Sequence, residues 1–350
     1  MSTWNAFLRQ LGASFEGASV AHFGEPKAEL TAARDAAVIC DLAATAVITV
    51  AGDDAAAFLQ GQLTSDVAAL ADGTVQYSAW CSPKGRVLAN FLLRRLTQGR
   101  FELLLPFSLA EAVAKRLRMF VLRSKVTIAD ASEASVRLGV GGPAAAACIA
   151  ATLGMTPTLR HAMAIDGGTI VALPGNRFLF VVTPAEAPRL WRTASRARPA
   201  GIGCWQWLTV CAAVPVITPP TQDGFLPQML NLDALDAIAF GKGCYTGQEI
   251  VARTQYLGRL KERLSLLHAE GAAPAAGARL FSAEFGDQAC GTVINAAAAP
   301  GGGSDFLAVL RTAASTGGPL RLGAPDGEPA VLLPLPYALP AAREPAGRIA

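Results

Sequence analysis

The sequence predicts an α+β protein made of two similar halves followed by a small β-rich domain. The order strand, helix, strand, strand, helix, strand occurs between residues 136 and 213, and residues 46–129 follow the same plan with one further strand between the two helices. This order is that of the split βαβ, or ferredoxin-like, fold. From residue 263 the pattern changes to short strands separated by turns rich in Gly, Ala and Pro, which is typical of a small barrel or sandwich. The two halves share a plan of elements without obvious sequence identity.

The composition indicates a soluble globular protein of two or three domains. Of the 350 residues, 52% are hydrophobic and 16% are charged. No apolar run reaches the roughly 18 residues that a membrane-spanning helix needs. The net charge is +3, from 30 basic and 27 acidic residues, far from the dense basic surface that phosphate neutralisation requires. We therefore expect neither contact with a membrane nor stable direct binding to nucleic acid.

Seven cysteines and three histidines are scattered through the chain. The cysteines form no C-x-x-C pair, so neither a disulfide framework nor the ligand spacing of a zinc or cluster site is visible. The histidines fit no catalytic triad or metal spacing. The N-terminal apolar residues recur at helical spacing and predict a docking helix, not an export signal. We therefore expect reduced thiols, a cytoplasmic location and no permanently bound metal.

The first half is predicted to span residues 1–135. Asp53 is a suitable N-cap for the helix after the first buried strand. The turn Ser82-Pro83-Lys84-Gly85 has Pro at its second position and joins two strands in a hairpin. The predicted elements are the strand Ala46–Ala51, the hairpin strands Val75–Cys81 and Arg86–Leu96, the strand Phe101–Leu105, a helix from about Ser108 to Val121 and the strand Lys125–Ala129.

The second half is predicted to span residues 136–262 and to include a connector and a glycine-rich loop. The proline-rich connector is Pro215–Pro220, and Leu230–Leu235 is apolar at helical spacing. The predicted elements are the strand Val136–Val140, the helix Pro143–Leu153, the strands Thr169–Leu173 and Phe178–Val182, the helix Pro184–Arg196 and the strand Trp205–Ala213.

The β-rich domain is predicted to span residues 263–340, with a tail over residues 341–350. Repeated prolines break the tail more often than a strand tolerates, so we expect it to lie against the surface or to lack order. The predicted strands are Arg263–His268, Arg279–Ser282, Ala289–Ile294, Phe306–Leu310, Leu320–Leu322 and Ala330–Pro334.

Most of the candidate chemistry lies in one glycine-rich loop, residues 241–249, with the sequence G-K-G-C-Y-T-G-Q-E. Its polar groups would need partners in a core, and its three glycines would give a core nothing to pack. Glycine neighbours leave Cys244 accessible, and a nearby ammonium favours the reactive thiolate. We therefore predict a functional site here. The alternative is an ordinary surface loop that enters a helix at Gln248.

The octapeptide Lys242–Glu249 closely resembles the motif K-G-C-Y-x-G-Q-E of the YgfZ family, which is related to the aminomethyltransferase, or T-protein, of the glycine cleavage system. The similarity covers most of residues 45 to 263. Further matches are Phe58–Asp66, Lys84–Arg86, Phe225–Gln228 with Asn231-Leu232 and, in outline, Gln255–Arg263.

The resemblance implies an aminomethyltransferase-like fold, with two ferredoxin-like halves around a central pocket and a C-terminal β-barrel. It implies tetrahydrofolate or a derivative as the ligand. The implied role is assistance to iron–sulfur cluster assembly or repair, which supports cluster enzymes such as those that thiolate tRNA. The implied partners are these enzymes or cluster-assembly proteins.

Three departures from the family pattern bear on the mechanism or on folate binding. The transferases carry an essential acidic residue after the turn equivalent to Lys84-Gly85, whereas Val87–Phe91 here contains no carboxylate to act as a general base. Cys211 stands where family members often place a glutamate that binds the pterin. Thr45 replaces a tryptophan found in some relatives, and Trp205 matches that tryptophan's partner. We therefore expect an accessory protein; the alternatives are a folate-dependent one-carbon transferase or demethylase and a non-catalytic scaffold.

Cys244 is the predicted reactive residue, as a nucleophile, redox thiol or transient ligand; the alternative is a small buried hydrophobe. Trp205 is expected to stack on a ring of the folate, or else to belong to the core. Lys242 is expected to hold the thiolate or a folate carboxylate, unless it is a solvated surface lysine. Gln248 and Glu249 could shape the loop or favour the helix dipole, and Arg253 could be an exposed helical arginine. The other predicted folate-binding residues are Gly243, Tyr245 and Gly247.

Overall fold

The computed structural model describes residues 3–256, 260–315 and 318–340. In these residues the strands form one sheet in each half, a closed barrel and a short N-terminal hairpin. The predicted tail, residues 341–350, lies outside the described residues. So do residues 257–259 of the predicted family match over Gln255–Arg263.

The first half forms an antiparallel sheet of five strands in the order β5-β6-β7-β4-β8. Four of these strands and two helices have the ferredoxin-like arrangement, and β5 adds an edge strand. The predicted strands and the second helix are confirmed within three residues at each end. The elements are β4 (Thr45–Ala51), α3 (Ala55–Gln62), β5 (Val75–Cys81), β6 (Val87–Thr97), β7 (Arg100–Pro106), α4 (Phe107–Arg118) and β8 (Thr127–Asp130).

The predicted N-cap of α3 is one residue off. The helix begins at Ala55, so its N-cap position is Asp54, and this side chain does not cap the helix. Instead, Asp54 Oδ2 accepts a hydrogen bond of 2.7 Å from the backbone N–H of Lys125. The carboxylate therefore joins the start of α3 to the chain that enters β8.

The second half forms a sheet of six strands in the order β10-β11-β12-β9-β3-β13. Its own elements are β9 (Val136–Gly141), α5 (Ala145–Leu153), β10 (Ala162–Ile165), β11 (Gly168–Leu173), β12 (Arg177–Val182), α6 (Ala187–Thr193), β13 (Arg198–Ala200) and α7 (Ile202–Cys211). The predicted strand Trp205–Ala213 is wrong, because these residues belong largely to α7 and the last strand is the shorter β13. The strand β10 was not predicted.

The N-terminal segment contributes a strand to the second sheet. It contains α1 (Thr3–Gln10), the hairpin strands β1 (Ser14–Glu16) and β2 (Ser19–His22), α2 (Pro26–Asp35) and β3 (Val38–Asp41). The strand β3 lies between β9 and β13, antiparallel to β9 and parallel to β13. Trp4, Phe7 and Leu8 of the predicted docking helix are buried in a cluster with side chains of this sheet. Residues 3–41, grouped by sequence with the first half, thus pack with the second.

After α7 the chain runs through the connector and turns to α8 (Gln248–Tyr256). The predicted helical segment Leu230–Leu235 is wrong. A short 3₁₀ turn, Pro227–Leu230, ends at Asn231, whose φ of 54° is left-handed and stops the helix. Buried Gln228 and Asn231 instead bind backbone carbonyls of Val251 and Leu264 at 2.7 and 3.0 Å.

The C-terminal strands close into a barrel in the order β14-β17-β16-β15-β18-β19, and β19 pairs back with β14. All six predicted strands are confirmed. They are β14 (Glu262–Ala269), β15 (Arg279–Ser282), β16 (Gly291–Ala298), β17 (Ser304–Arg311), β18 (Leu320–Leu322) and β19 (Glu328–Leu333). Closure pairs the strand edges, so the barrel exposes no long unpaired strand.

Candidate functional site

A central cavity of about 430 Å³ lies between the two sheets and is closed at one side by the barrel. This volume falls within the roughly 300–1,000 Å³ of small-molecule sites. The lining is mainly apolar, with Tyr77 from β5, Arg177 from β12, Trp205 from α7 and Asn295 from β16 among its polar or aromatic members. Among the described residues, no carboxylate lines the cavity. The pocket expected from the family resemblance is therefore present as a cavity.

Trp205 is the one predicted site residue that lines this cavity. It is half-buried on α7 and packs against the backbone of Gly139, where an added Cβ would come within 2.5 Å of the indole ring. On the cavity side, the guanidinium carbon of Arg177 lies 5.3 Å from the centre of that ring. The indole is thus held between a strand backbone and a cation, with part of its surface left for a ligand.

Asn90, in the stretch Val87–Phe91 that contains no carboxylate, has a structural role. Asn90 is buried, and its side-chain amide donates to the carbonyl of Pro215 at 2.7 Å and accepts from the N–H of Ile217 at 2.9 Å. Both ends of the amide are therefore used to hold the connector against β6. Asn90 lines the cavity without offering a free base to a substrate.

Cys211 and Thr45, the two other departures, lie at different places. Thr45 lines the cavity at the start of β4, whereas Cys211, at the end of α7, does not line it. Burial raises the pKa of the Cys211 thiol to about 12, and the negative charge of Asp305 acts in the same direction. This thiol is therefore neutral at physiological pH and supplies no carboxylate-like acceptor.

The glycine-rich loop packs on the turn of the β5–β6 hairpin. Gly247 has φ of 82°, and a Cβ there would come within 2.4 Å of the carbonyl oxygen of Ser82. Gly85, with φ of 72°, faces the side chain of Ile250 from the hairpin side. Both positions require glycine because of the left-handed backbone and the close approach. The family matches at residues 84–86 and 242–249 are thus brought together in space.

Lys242 anchors this loop to the end of α3. Its Nζ donates to the carbonyl oxygens of Gln60, Leu63 and Ser65 at 2.7, 2.7 and 2.8 Å. Burial lowers the pKa of Lys242 to about 8, while Asp66 and the three carbonyls favour the charged form. An ammonium has three protons, and these contacts use all of them.

Cys244 is exposed beside this anchor, in a surface depression of about 550 Å³. Tyr245, the next residue, is buried, and its ring centre lies 5.1 Å from Lys242 Nζ. Gln248 opens α8, and its side chain donates to the carbonyl of Lys242 at 3.4 Å. Gly243, Glu249 and Arg253 are exposed. The loop therefore presents one thiol from a fixed backbone.

The thiol and the cavity are separate features, since none of the residues that the structure describes lines both the Cys244 depression and the central cavity. The cavity includes Tyr77 in the middle of β5, whereas the loop packs at Ser82, beyond the end of that strand. Five residues of extended chain between these two positions correspond to about 16 Å. Of the predicted folate-binding residues, only Trp205 is at the cavity; Lys242, Gly243, Tyr245, Gly247, Gln248, Glu249 and Arg253 belong to the loop or to α8.

Arg177 and Tyr77 line the cavity but were not among the site residues predicted from the sequence. A signal was present for Arg177, because a lone arginine begins the otherwise apolar strand R-F-L-F-V-V. A charge in such a strand is costly to bury, so it favours a functional explanation. Tyr77 lies in a half-apolar strand and carries no comparable signal.

Residues 3–256, 260–315 and 318–340 contain no group of three or more His, Cys, Asp or Glu side chains arranged to hold a metal ion. They also contain no helix that is both long and apolar enough to cross a membrane.

Comparison with known proteins gives three consistent results. A family model described as the GCVT N-terminal domain matches residues 10–163. The curated tRNA-modifying protein YgfZ of Serratia proteamaculans is 34% identical over 300 residues, covering 84% of this chain and 90% of that protein. The protein of the same name from Sodalis glossinidius is 32% identical, covering 84% and 91%.

The fold is similar to a solved crystal structure, that of the glycine cleavage system aminomethyltransferase T from Bartonella henselae. The TM-score is 0.75, the sequence identity is 18%, and the match covers 94% of each chain. The predicted aminomethyltransferase-like fold is thereby confirmed.

Proposed function

Because this chain belongs to the YgfZ family, whose curated relatives are named tRNA-modifying proteins, we propose that it is a cytoplasmic folate-binding accessory protein for iron–sulfur cluster assembly or repair. It acts through Cys244, and its partners are iron–sulfur enzymes or cluster-assembly proteins. Its part in tRNA modification is indirect, through cluster enzymes that thiolate tRNA, since a net charge of +3 offers little electrostatic attraction for RNA.

The observation that carries this proposal is the single exposed thiol on an anchored loop. Among the seven cysteines, Cys244 is exposed, Cys211 is half-buried and the others are buried. Lys242 and buried Tyr245 fix the backbone on the two sides of Cys244. A thiolate is the form that attacks electrophiles and binds metals, so an exposed, fixed thiol suits transient contact with a cluster on another protein.

The central cavity supports the folate part of the proposal. Its volume and apolar lining fit an aromatic ring, and Trp205 offers a flat face for stacking. Trp205 and Arg177 would hold the ring, and bound tetrahydrofolate would supply one-carbon chemistry at this place. The lining lacks a carboxylate for the amino-bearing edge of a pterin, so the ring cannot be recognised in the way that a glutamate would recognise it.

The transferase alternative is weakened by Asn90. General-base catalysis needs a titratable group within hydrogen-bond reach of the proton that it removes. Asn90 does not titrate, and its amide is already bound to Pro215 and Ile217. No observation on the cavity favours this alternative over the accessory role.

The test is complementation with Cys244→Ala and Cys244→Ser in a strain that lacks its own protein of this family. We expect both variants to lose most of the restored iron–sulfur enzyme activity and tRNA thiolation, because the serine hydroxyl ionises too weakly to replace a thiolate. The control is Cys148→Ala, which removes a buried thiol from α5. If Cys244→Ala folds and restores iron–sulfur enzyme activity and tRNA thiolation as well as the wild type does, Cys244 has no part in the mechanism. The non-catalytic scaffold is then the alternative that remains.

A further inference from the structure

Arg177 is a buried cation without a carboxylate partner. Its side chain is 2% exposed, and among the described residues no carboxylate oxygen lies within 4 Å of its guanidinium. Its Nε donates to the carbonyl of Pro174 at 2.9 Å and its Nη1 to the hydroxyl of Thr209 at 2.8 Å. Its Nη2 is buried and makes no hydrogen bond within the described chain. Burial lowers the pKa of Arg177, while the Tyr77 hydroxyl acts in the opposite direction through its charge and a hydrogen bond.

The other strongly buried arginines are compensated differently. Arg94 is 3% exposed and its Nη2 lies 3.1 Å from Glu102 Oε2. Arg137 donates to three backbone carbonyls and lies in the field of Asp41 and Asp130. An unpaired buried charge is costly, and natural chains rarely keep one without a use. Arg177 differs from these two in that it also lines the central cavity.

The surroundings of Arg177 define what a partner would look like. The Trp205 ring centre is 5.3 Å from the guanidinium carbon, and the Tyr77 hydroxyl interacts with Arg177 from the first sheet. Leu173 and Leu179 line the cavity on the same sheet. A ligand here meets one cation, one hydroxyl and an indole face within an apolar wall. That combination suits a flat ring whose edge carries an anionic acceptor.

We propose that Arg177 is the anchor of the central cavity, and that the cavity binds aromatic ligands that present a carboxylate, or a comparably anionic acceptor edge, to its guanidinium while the ring lies on Trp205. This inference deepens the proposed function and rests on it only in using the same cavity. It implies that a folate enters with an acceptor-bearing group toward Arg177, and not with the amino-bearing edge that a glutamate would bind.

The test is calorimetric titration of the full chain with 4-aminobenzoate, its neutral analogue 4-aminobenzamide, and tetrahydrofolate. We expect the carboxylate to bind at least about tenfold more tightly than the amide. Arg177→Met should abolish that preference and weaken the binding of 4-aminobenzoate at least about tenfold. Tm should change by less than about 3 °C, because the loss of the hydrogen bonds to Pro174 and Thr209 is offset by removal of a buried charge that has no carboxylate partner. The matched control is Arg94→Met, which strands buried Glu102 and should lower Tm clearly while leaving the preference for the carboxylate.

Several outcomes would overturn the inference. The first is that 4-aminobenzoate does not bind to the wild type. The second is that 4-aminobenzamide binds as tightly as 4-aminobenzoate, and the third is that Arg177→Met binds 4-aminobenzoate as tightly as the wild type does. If Arg177→Met does not fold, the inference is tested with Arg177→Lys, which keeps the charge. A retained preference of this variant for the carboxylate supports Arg177 as the anchor, and a lost preference rejects it. If 4-aminobenzoate binds through Arg177 and tetrahydrofolate does not bind, the anchor stands and the folate part of the proposed function falls.

Discussion

Lys242 shows at the scale of one residue how a side chain can fix a surface loop. The three carbonyls that it binds lie at and beyond the C-terminal end of α3, where helix carbonyls lack partners within the helix. From the sequence, this ammonium was expected to hold the thiolate or a folate carboxylate. In the structure its protons are all directed to the backbone, so Lys242 acts on Cys244 by positioning the loop.

Lys242→Met is expected to lower the free energy of unfolding by about 2 kcal/mol, because charge-assisted bonds to three carbonyls are lost while the stem still packs. The amides of residues 243–247 should also exchange with solvent faster, since the loop loses its anchor. Urea unfolding and hydrogen exchange measure the two effects. The control is Lys115→Met on the exposed face of α4. Equal stability of the two variants would show that Lys242 is not an anchor.

The helix α7 shows at the scale of one element how tertiary contacts decide secondary structure. Its sequence I-G-C-W-Q-W-L-T-V-C is rich in residues typical of strands, and half of its residues are buried. Its start is held by Glu29 of α2, whose Oε2 accepts from the N–H of Gly201 at 2.9 Å, while Oε1 accepts from Phe23 at 2.7 Å. A carboxylate at a helix N-terminus stabilises the unpaired N–H groups and the helix dipole.

Glu29→Gln is expected to destabilise the protein by about 2 kcal/mol, because it weakens charge-assisted bonds to buried amides. Binding of 4-aminobenzoate should weaken as well, since α7 carries Trp205 into the cavity. Thermal unfolding and calorimetry give the two readouts. Glu111→Gln, on the exposed face of α4, is the control and should change neither quantity. A variant as stable as the wild type would mean that Glu29 does not hold α7.

The barrel shows at the scale of the whole molecule how a separate domain completes the cavity. Buried Asp305 of β17 joins it to α7, accepting from Trp207 Nε1 at 2.8 Å and lying 2.7 Å from His268 Nδ1 of β14. Asn295 of β16 lines the cavity and accepts from the N–H of Val216 in the connector at 3.1 Å. The cavity is therefore enclosed only when both halves and the barrel are in place.

Asp305→Ala is expected to lower the free energy of unfolding by about 2–3 kcal/mol, because Trp207 and His268 lose a buried acceptor. Although Asp305 does not line the cavity, affinity for 4-aminobenzoate should fall, since the barrel is less firmly docked on α7. Denaturant unfolding followed by titration tests both. Asp287→Ala, at an exposed position of the barrel, is the control. If Asp305→Ala is destabilised but binds 4-aminobenzoate with unchanged affinity, the docking of the barrel on α7 does not affect the cavity.

Much of the fold could be predicted from local pattern, and the failures have a common cause. The six barrel strands and the β5–β6 hairpin follow from alternation and turn residues, which act over a few residues. The prediction of a strand at Trp205–Ala213 failed because an element that is apolar on all sides has no hydrophobic periodicity by which helix and strand could be distinguished. The place of β3 in the second sheet could not be seen either, since strand pairing over about a hundred residues leaves no local signal.

The sequence by itself determined that residues 241–249 form a distinct loop, that Cys244 is accessible there and that two α+β halves precede a β-domain, because glycine content and hydrophobic period act locally. Only the tertiary structure decided that Lys242 donates its protons to backbone carbonyls and that Cys244 and Trp205 lie at separate sites. It also decided that Arg177 lines the central cavity without a carboxylate partner among the described residues. Those facts depend on which distant groups share a low-dielectric interior. Burial sets the cost of leaving a charge without a partner, and burial is a property of the folded whole.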